Sequence, residues 1–122
     1  MQFWELCLAV LATTALFEGV TCAFRFGCGM TAREDLSWMR RWTRGVRVHH
    51  GYPGIALVGV SFAGVLAGPV DSAVVIVGWG LLLSDAVHHF VVLPLTVGRT
   101  EFDLRFPETD PDGEELPAFE AE

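Results

Sequence analysis

Three apolar stretches, separated by polar segments, dominate the chain. They cover about residues 3–24, 50–69 and 73–97. At a rise of about 1.5 Å per residue, helices of these lengths match or exceed the roughly 30 Å hydrocarbon core of a bilayer. The pattern therefore predicts an all-α membrane protein with three transmembrane helices, which form one domain over residues 1–100.

The polar segment after the first stretch predicts a short amphipathic helix in the membrane interface. Leu36, Met39 and Trp42 recur at helical spacing within about residues 32–44. Trp rings and Arg side chains both favour the headgroup level, where Arg also meets lipid phosphates. The side chains predicted to contact lipid headgroups are Trp38, Arg40, Arg41, Trp42 and Arg44.

Small residues mark the end of the second stretch. Gly64 and Gly68 have the small-xxx-small spacing that lets helix backbones approach closely in lipid. That contact would lie within this chain, in a homo-oligomer or against a membrane-protein partner. The residues that follow predict a tight turn, with Asp71 or Ser72 capping the third helix and Pro94 kinking it.

Charge is distributed unevenly along the chain. The formal net charge is −7, yet residues 1–100 carry seven Arg against six acids, and nine acids fall in residues 101–122 among several Pro and Gly. Such a segment buries too little apolar surface to fold, so it predicts a disordered acidic tail that does not bind nucleic acid. Every basic residue is Arg and Asn is absent, which together with the acidic tail suggests a salt-adapted microbe.

The arginines also predict the orientation in the membrane. Six of them lie between residues 25 and 52, which places this loop in the cytoplasm by the positive-inside rule. The expected protein is thus a multi-pass protein of the cell membrane with its N-terminus outside and its tail inside. A cleaved signal peptide is the rival interpretation of the first stretch, but no basic residues precede it.

All four histidines lie at similar distances from the predicted turn. His49 and His50 come about 20 residues before its centre, and His88 and His89 come 18 and 19 residues after it. Because both helices rise equally per residue, these side chains should converge near the cytoplasmic side. Asp85 shares a helix face with His88 and His89, since residues three and four apart are neighbours.

Glu18 brings a further carboxylate from the first predicted helix. Charges at this depth are costly when they face lipid, so Glu18 should face the other helices and pair with Arg25 or a histidine. Imidazole and carboxylate groups together ligate Zn, Fe, Mn or Cu. The leading hypothesis is therefore a metal-handling protein. Its predicted ligands are Glu18, His49, His50, Asp85, His88 and His89.

Other interpretations of these polar residues stay open. Facing histidines can ligate haem, although the charge of Asp85 disfavours an apolar macrocycle beside it. A metal-free proton relay or a lipid-headgroup site would use the arginines and a histidine acid or base. A non-enzymatic membrane subunit or scaffold would use the polar residues only for structure. No unambiguous nucleophile decides whether the protein is an enzyme.

The cysteines predict no disulfide framework. Cys7, Cys22 and Cys28 are odd in number and form no C-x-x-C pair. No ligand role is predicted for them from spacing alone.

Overall fold

A computed structural model of the chain describes residues 1–31 and 38–106, except for the side chain of Arg40. These residues are helical apart from their connections, and they contain no strand beyond an isolated bridge between Val46 and Arg105. The all-α prediction is confirmed for this part of the chain. The elements are α1 (Phe3–Cys22) with a π-helical end (Ala23–Gly27), α2 (Met39–Trp42), α3 (Gly51–Phe62), α4 (Gly68–Val87), a π-helical turn (His88–Val92) and α5 (Leu93–Thr96).

Two continuous helical segments are long and apolar enough to cross a bilayer. They are Phe3–Gly27, of 25 residues, and Gly68–Thr96, of 29 residues. The third predicted span is shorter than expected, because α3 has only 12 residues. At about 1.5 Å per residue it is roughly 18 Å long, which is short of the ~30 Å hydrocarbon core. A third membrane-spanning helix is therefore not shown.

The connection between α3 and α4 lies earlier than predicted. α3 ends at Phe62, and α4 begins at Gly68 rather than near residue 73. Gly64 and Gly68 have φ angles of 67° and 64°, which bend the chain instead of forming a helix face. A Cβ at either glycine would have no atom within 4 Å, so neither packs helices together within this chain. Asp71 accepts a hydrogen bond from the Ser61 hydroxyl across the connection instead of capping α4.

Other glycines hold α3 and α4 together in antiparallel orientation. A Cβ added to Gly54 would lie 2.8 Å from both the Gly78 oxygen and the Leu82 nitrogen. One turn earlier on α3, a Cβ on Gly51 would lie 2.7 Å from an Asp85 oxygen. Earlier residues of α3 therefore face later residues of α4, as antiparallel helices require. The two backbones approach as closely as small residues allow.

α4 packs against α1 on its other side, and these two helices run parallel. A Cβ on Gly80 would lie 2.6 Å from a methyl group of Thr13. Further along, Glu18 accepts hydrogen bonds from Ser84 at 3.2 Å and His88 at 2.9 Å. α4 is thus the central helix, with contacts to both α1 and α3.

Burial in this fold is the reverse of that in a soluble protein. Among the described residues, the buried hydrophobic side chains are Leu93 and Phe106. Of the most apolar 18-residue window in each long helical segment, only 6% and 22% are buried. The polar side chains that are buried are Arg47, His49, Ser84, Asp85, His88 and His89.

The first residues of the predicted disordered tail pack against the helices. Phe106 is 7% exposed, and its amide donates a hydrogen bond to the Gly45 oxygen at 2.9 Å. Residues 101–106 thus contact the rest of the described chain. Residues 107–122, the rest of the predicted acidic tail, lie outside the described residues.

The predicted interfacial helix is described only in part, because residues 32–37 lie outside the described ranges. α2 contributes a single turn, in which Trp42 is 82% exposed, and Trp38 before it is 62% exposed. Arg41 and Arg44 are also exposed, and the side chain of Arg40 is not among those described. Their predicted contact with lipid headgroups stays a prediction.

Candidate metal centre

The predicted site residues meet where α1 and α4 end and α3 begins, in two clusters. The first cluster, here called the His–Asp site, consists of His49, Asp85 and His89. The second, here called the Glu–Cys site, consists of Glu18, Cys22 and His88. In each cluster one potential ligand atom per residue lies within 4.8 Å of the other two.

Three potential ligand atoms converge in the His–Asp site. His49 Nδ1 lies 3.2 Å from His89 Nε2. Asp85 Oδ1 lies 3.9 Å from His49 Nδ1 and 3.8 Å from His89 Nε2. All three residues are buried, with exposed fractions of 5–7%. The spacing is close to that of ligands that share one ion at about 2.0–2.2 Å.

Backbone carbonyls fix the protons on both imidazoles of this site. His49 Nε2 lies 3.0 Å from the Asp103 carbonyl oxygen, and His89 Nδ1 lies 2.9 Å from that of Thr100. A carbonyl oxygen only accepts, so each of these nitrogens donates its N–H. In neutral imidazoles the opposite nitrogens then carry lone pairs, and these are the two atoms that face each other. Such outer-shell hydrogen bonds are the usual way in which proteins orient metal-ligating histidines.

The carboxylate of Asp85 adds a third lone pair to the same point. Its Oδ1 is buried and has no hydrogen-bond partner, which is costly for a charged group unless a cation lies close by. His50 Nδ1 lies 3.2 Å from this oxygen, and His50 Nε2 is also buried without a hydrogen-bond partner. His50 thus stands beside the three converging atoms as a third imidazole.

Neighbouring residues hold the His–Asp site in shape. Gly51 leaves room for Asp85 at the start of α3, because a Cβ added at this position would lie 2.7 Å from an Asp85 oxygen. The Phe102 ring stacks on His49 with centroids 4.7 Å apart and meets His89 edge-on at 5.3 Å. Residues 100–103 therefore supply both the carbonyls and an aromatic cover. Sequence reasoning missed this role, since it assigned residues 101–103 to the solvated tail.

Glu18 is the centre of the Glu–Cys site. Its Oε1 accepts hydrogen bonds from His88 Nδ1 at 2.9 Å and the Cys22 thiol at 3.2 Å. Its Oε2 accepts one from the Ser84 hydroxyl at 3.2 Å, and Ser84 is fully buried. Glu18 thus pairs with a histidine, one of the two predicted options.

Cys22 is the member of this cluster that the sequence analysis did not select. It lies four residues after Glu18, so the two side chains share one face of α1. That spacing was visible in the sequence. The fold gives this spacing its significance, because His88 at the end of α4 contacts the same face of α1.

Arg25, the other predicted partner of Glu18, forms a different ion pair. Its guanidinium lies 3.0 Å from a carboxylate oxygen of Glu101. Nearby, the buried Arg47 pairs with Asp103 at 3.2 Å. These two pairs attach the segment that follows α5 to the end of α1 and to the residues before α3.

A cavity of about 390 Å³ is lined by all three residues of the His–Asp site and by His88 of the Glu–Cys site. It gives a ligand or water access to the polar cluster, while apolar side chains such as Val20, Phe24 and Leu93 form part of its wall. Small-molecule sites commonly combine an apolar wall with a few convergent polar groups. The polar-cluster residues that line it are His49, His50, Asp85, His88 and His89.

Comparison of the chain with protein-family models, with curated proteins and with solved structures gives no match. Its function therefore has to be argued from its own geometry.

Proposed function

We propose that this chain is a small integral membrane protein that binds a transition-metal ion at the His–Asp site, near the cytoplasmic face. The convergence of three buried lone-pair atoms, from His49, Asp85 and His89, carries the proposal. Without a positive charge among them these atoms repel one another, and in a poorly solvated interior that repulsion is large. A bound cation turns the same arrangement into a stabilising one.

The distribution of burial supports the membrane setting. The long helical segments expose most of their apolar surface, including Phe3, Leu8 and Leu16 on α1 and Phe24 in its π-helical end. A soluble chain would bury such side chains in a core, whereas lipid covers them in a membrane. The ionisable groups instead face one another inside the bundle, as intramembrane charges do when they form a functional site.

The parallel orientation of α1 and α4 supports three crossings. If both segments cross the bilayer in the same direction, the chain between them must cross back once. α3 runs antiparallel to α4 and is the helical part of that return. Since α3 alone is too short to span the core, the non-helical residues at its ends would complete the crossing.

The arginines favour a cytoplasmic position for the metal-binding end. Arg25 lies in the π-helical end of the first segment, Arg47 precedes α3 and Arg99 follows α5, so all three lie at the end of the bundle that holds the histidines. By the positive-inside rule this end faces the cytoplasm and the N-terminus lies outside. Trp38, Trp42 and the arginines around them would then contact lipid headgroups on that side.

The set of ligands limits which metal ions the site can bind and what chemistry they can support. Two imidazoles and one carboxylate suit Zn, Fe, Mn or Cu, and three protein ligands leave coordination positions open. Those positions adjoin the cavity, so a bound ion would be accessible to water or a small ligand. This arrangement fits a protein that handles or uses a metal better than one whose polar residues serve only for structure.

A shared proton is the second candidate for the cation in the His–Asp site. The 3.2 Å separation of His49 Nδ1 and His89 Nε2 is also within hydrogen-bond reach. With one proton between them, the pair would form a metal-free relay group beside Asp85. Metal content separates the two candidates directly.

The test compares two carboxylates on α4 in the same purification. Asp85→Asn removes a predicted ligand, while Asp71→Asn makes the same change at the far end of the helix, where the carboxylate bonds Ser61. The proteins are purified in mild detergent without chelator or histidine tag, incubated separately with Zn, Fe, Mn and Cu, and subjected to elemental analysis. We expect wild type and Asp71→Asn to retain an ion that Asp85→Asn loses.

Two results would overturn the metal proposal. One is wild-type protein that holds none of these ions, which would leave the shared proton. The other is Asp85→Asn protein with as much metal as Asp71→Asn. Asparagine has nearly the same size as aspartate and removes a buried charge without a hydrogen-bond partner, so we expect Asp85→Asn to keep its helical circular dichroism.

A further inference from the structure

The Glu–Cys site lies beside the His–Asp site, on the side of α4 that packs against α1, and the imidazole centroids of His88 and His89 are 5.5 Å apart. Glu18 and Cys22 come from α1, whereas His49 of the other cluster comes from the residues before α3. Their partners His88 and His89 are consecutive residues at the start of the π-helical turn. Consecutive helical residues point in clearly different directions, so the two imidazoles serve different neighbours.

The chemistry of the second cluster differs from that of the first. Its three potential ligand atoms are a carboxylate oxygen, an imidazole nitrogen and a sulfur, all within 4.8 Å of one another. Sulfur is a soft ligand, and mixed sulfur and nitrogen sets are typical of zinc. The His–Asp site offers no sulfur.

We propose that Glu18, Cys22 and His88 form a second metal site, selective for a thiophilic divalent ion such as Zn²⁺. The site rests on these three side chains alone and does not require that the His–Asp site bind metal. The bound ion would link α1 to α4 near their cytoplasmic ends. Ser84 would keep its hydrogen bond to Glu18 Oε2 and so orient the carboxylate from behind.

Hydrogen bonds organise this site in the absence of an ion. The thiol and His88 Nδ1 both donate to Glu18 Oε1, which holds the three groups within reach of one metal. An ion would replace those two protons at the carboxylate. The thiol proton is released to water, while the neutral imidazole frees Nδ1 by moving its proton to Nε2 through exchange with water. Binding therefore releases about one proton per ion.

The structure also explains how the first helix is suited to such a site. Glu18 and Cys22 are four residues apart on a regular helix, so their side chains project from one face without backbone distortion. Both are only partly exposed, and His88 is 5% exposed. A metal there would be shielded from most of the solvent, which strengthens its electrostatic attraction to the carboxylate and thiolate.

Cobalt substitution tests the proposal, because Co²⁺ bound to a thiolate shows a charge-transfer absorption in the near ultraviolet. Purified full-length protein is titrated with Co²⁺ and then with Zn²⁺. We expect wild type to develop this band and to lose it when Zn²⁺ displaces the cobalt. Cys22→Ser should lack the band and bind about one ion fewer per chain.

The other two cysteines provide matched controls. Cys7 and Cys28 are free and exposed, so Cys7→Ser and Cys28→Ser should keep the band at full intensity. In wild type, Zn²⁺ should protect Cys22 from alkylation but leave Cys28, which follows the membrane-spanning segment, reactive, as read by mass spectrometry of the labelled peptides.

The outcomes distinguish this site from the His–Asp site. No thiolate band in correctly folded wild type, or an undiminished band in Cys22→Ser, overturns the Glu–Cys proposal. Loss of metal in Asp85→Asn with the band retained supports two separate sites. A band that persists while Asp85→Asn and Asp71→Asn hold equal metal would sustain the Glu–Cys site and overturn the His–Asp one.

Discussion

The two clusters beside α4 contain similar side chains, but their protons are arranged differently. In the His–Asp site, backbone carbonyls take the N–H groups of both imidazoles, so lone pairs converge with nothing between them. In the Glu–Cys site, a thiol and an imidazole N–H point at the carboxylate and already satisfy it. The comparison shows that ligand-type residues alone do not define a metal site. The positions of their protons decide whether the cluster needs a cation to offset repulsion or is already stable without one.

The largest expected effect comes from removing one ligand of the His–Asp site. His49 lies outside α1 and α4, so His49→Gln should leave the Glu–Cys side chains in place. We expect metal affinity at the His–Asp site to fall more than about 100-fold, beyond the loss usual for an outer-shell partner. The Co²⁺ thiolate band should be unchanged in the same titration. If both signals disappeared together, the two clusters would have to be one centre.

The next largest effect is expected from two glycine substitutions, each of which disturbs the helix packing beside one of the two sites. Gly54→Ala places a Cβ against backbone atoms of α4 and should disturb the His–Asp site, while Gly80→Ala presses on Thr13 and should disturb the Glu–Cys site. Each should destabilise the fold by about 1–3 kcal/mol, as overpacking usually does. For each variant, unfolding in mixed micelles measures stability and Co²⁺ titration measures metal binding.

The control for both substitutions is Gly59→Ala on α3. A Cβ there meets no atom within 4 Å, so we expect little change or a gain of up to about 1 kcal/mol from helix propensity. Equal losses at all three glycines would show that the close contacts at Gly54 and Gly80 do not govern the sites.

The smallest expected difference is in proton release. The thiol of the Glu–Cys site carries a proton before an ion binds, so binding there should release about one proton per ion. The His–Asp site has no thiol, and backbone carbonyls hold the N–H groups of both imidazoles, so binding there should release fewer. Affinity at the Glu–Cys site should accordingly rise more steeply with pH. Calorimetric titration of Asp85→Asn and Cys22→Ser in buffers of different ionisation enthalpy measures this. Equal proton release in both variants would contradict the assigned proton positions.

Residue spacing along the chain carried much of the information about the site. Counting residues from a turn anticipated that His49, His50, His88 and His89 lie near one another, and the structure brings them together. The equal residue counts on the two sides of the turn do not hold, because α3 ends at Phe62 and α4 already begins at Gly68. The helical period put Asp85 beside the histidines that follow it.

Other features needed the folded chain. Gly64 and Gly68 have the spacing of a packing motif, but their positive φ angles place them in a bend, and a sequence pattern does not report φ. Glu101 and Asp103 belong by composition to a solvated tail. They nonetheless pair with Arg25 and Arg47, because local charge partners outweigh the average composition.

The parallel arrangement of α1 and α4 also bears on how the protein is made. On the proposed topology α3 is too short to enter the bilayer on its own hydrophobicity, and its closest contacts are the glycines and backbone of α4. Its insertion must therefore wait until α4 has been synthesised, so that the pair enters as a hairpin. A nascent chain that ends before residue 68 would accordingly have a single stable span, and both clusters would assemble only late in biogenesis.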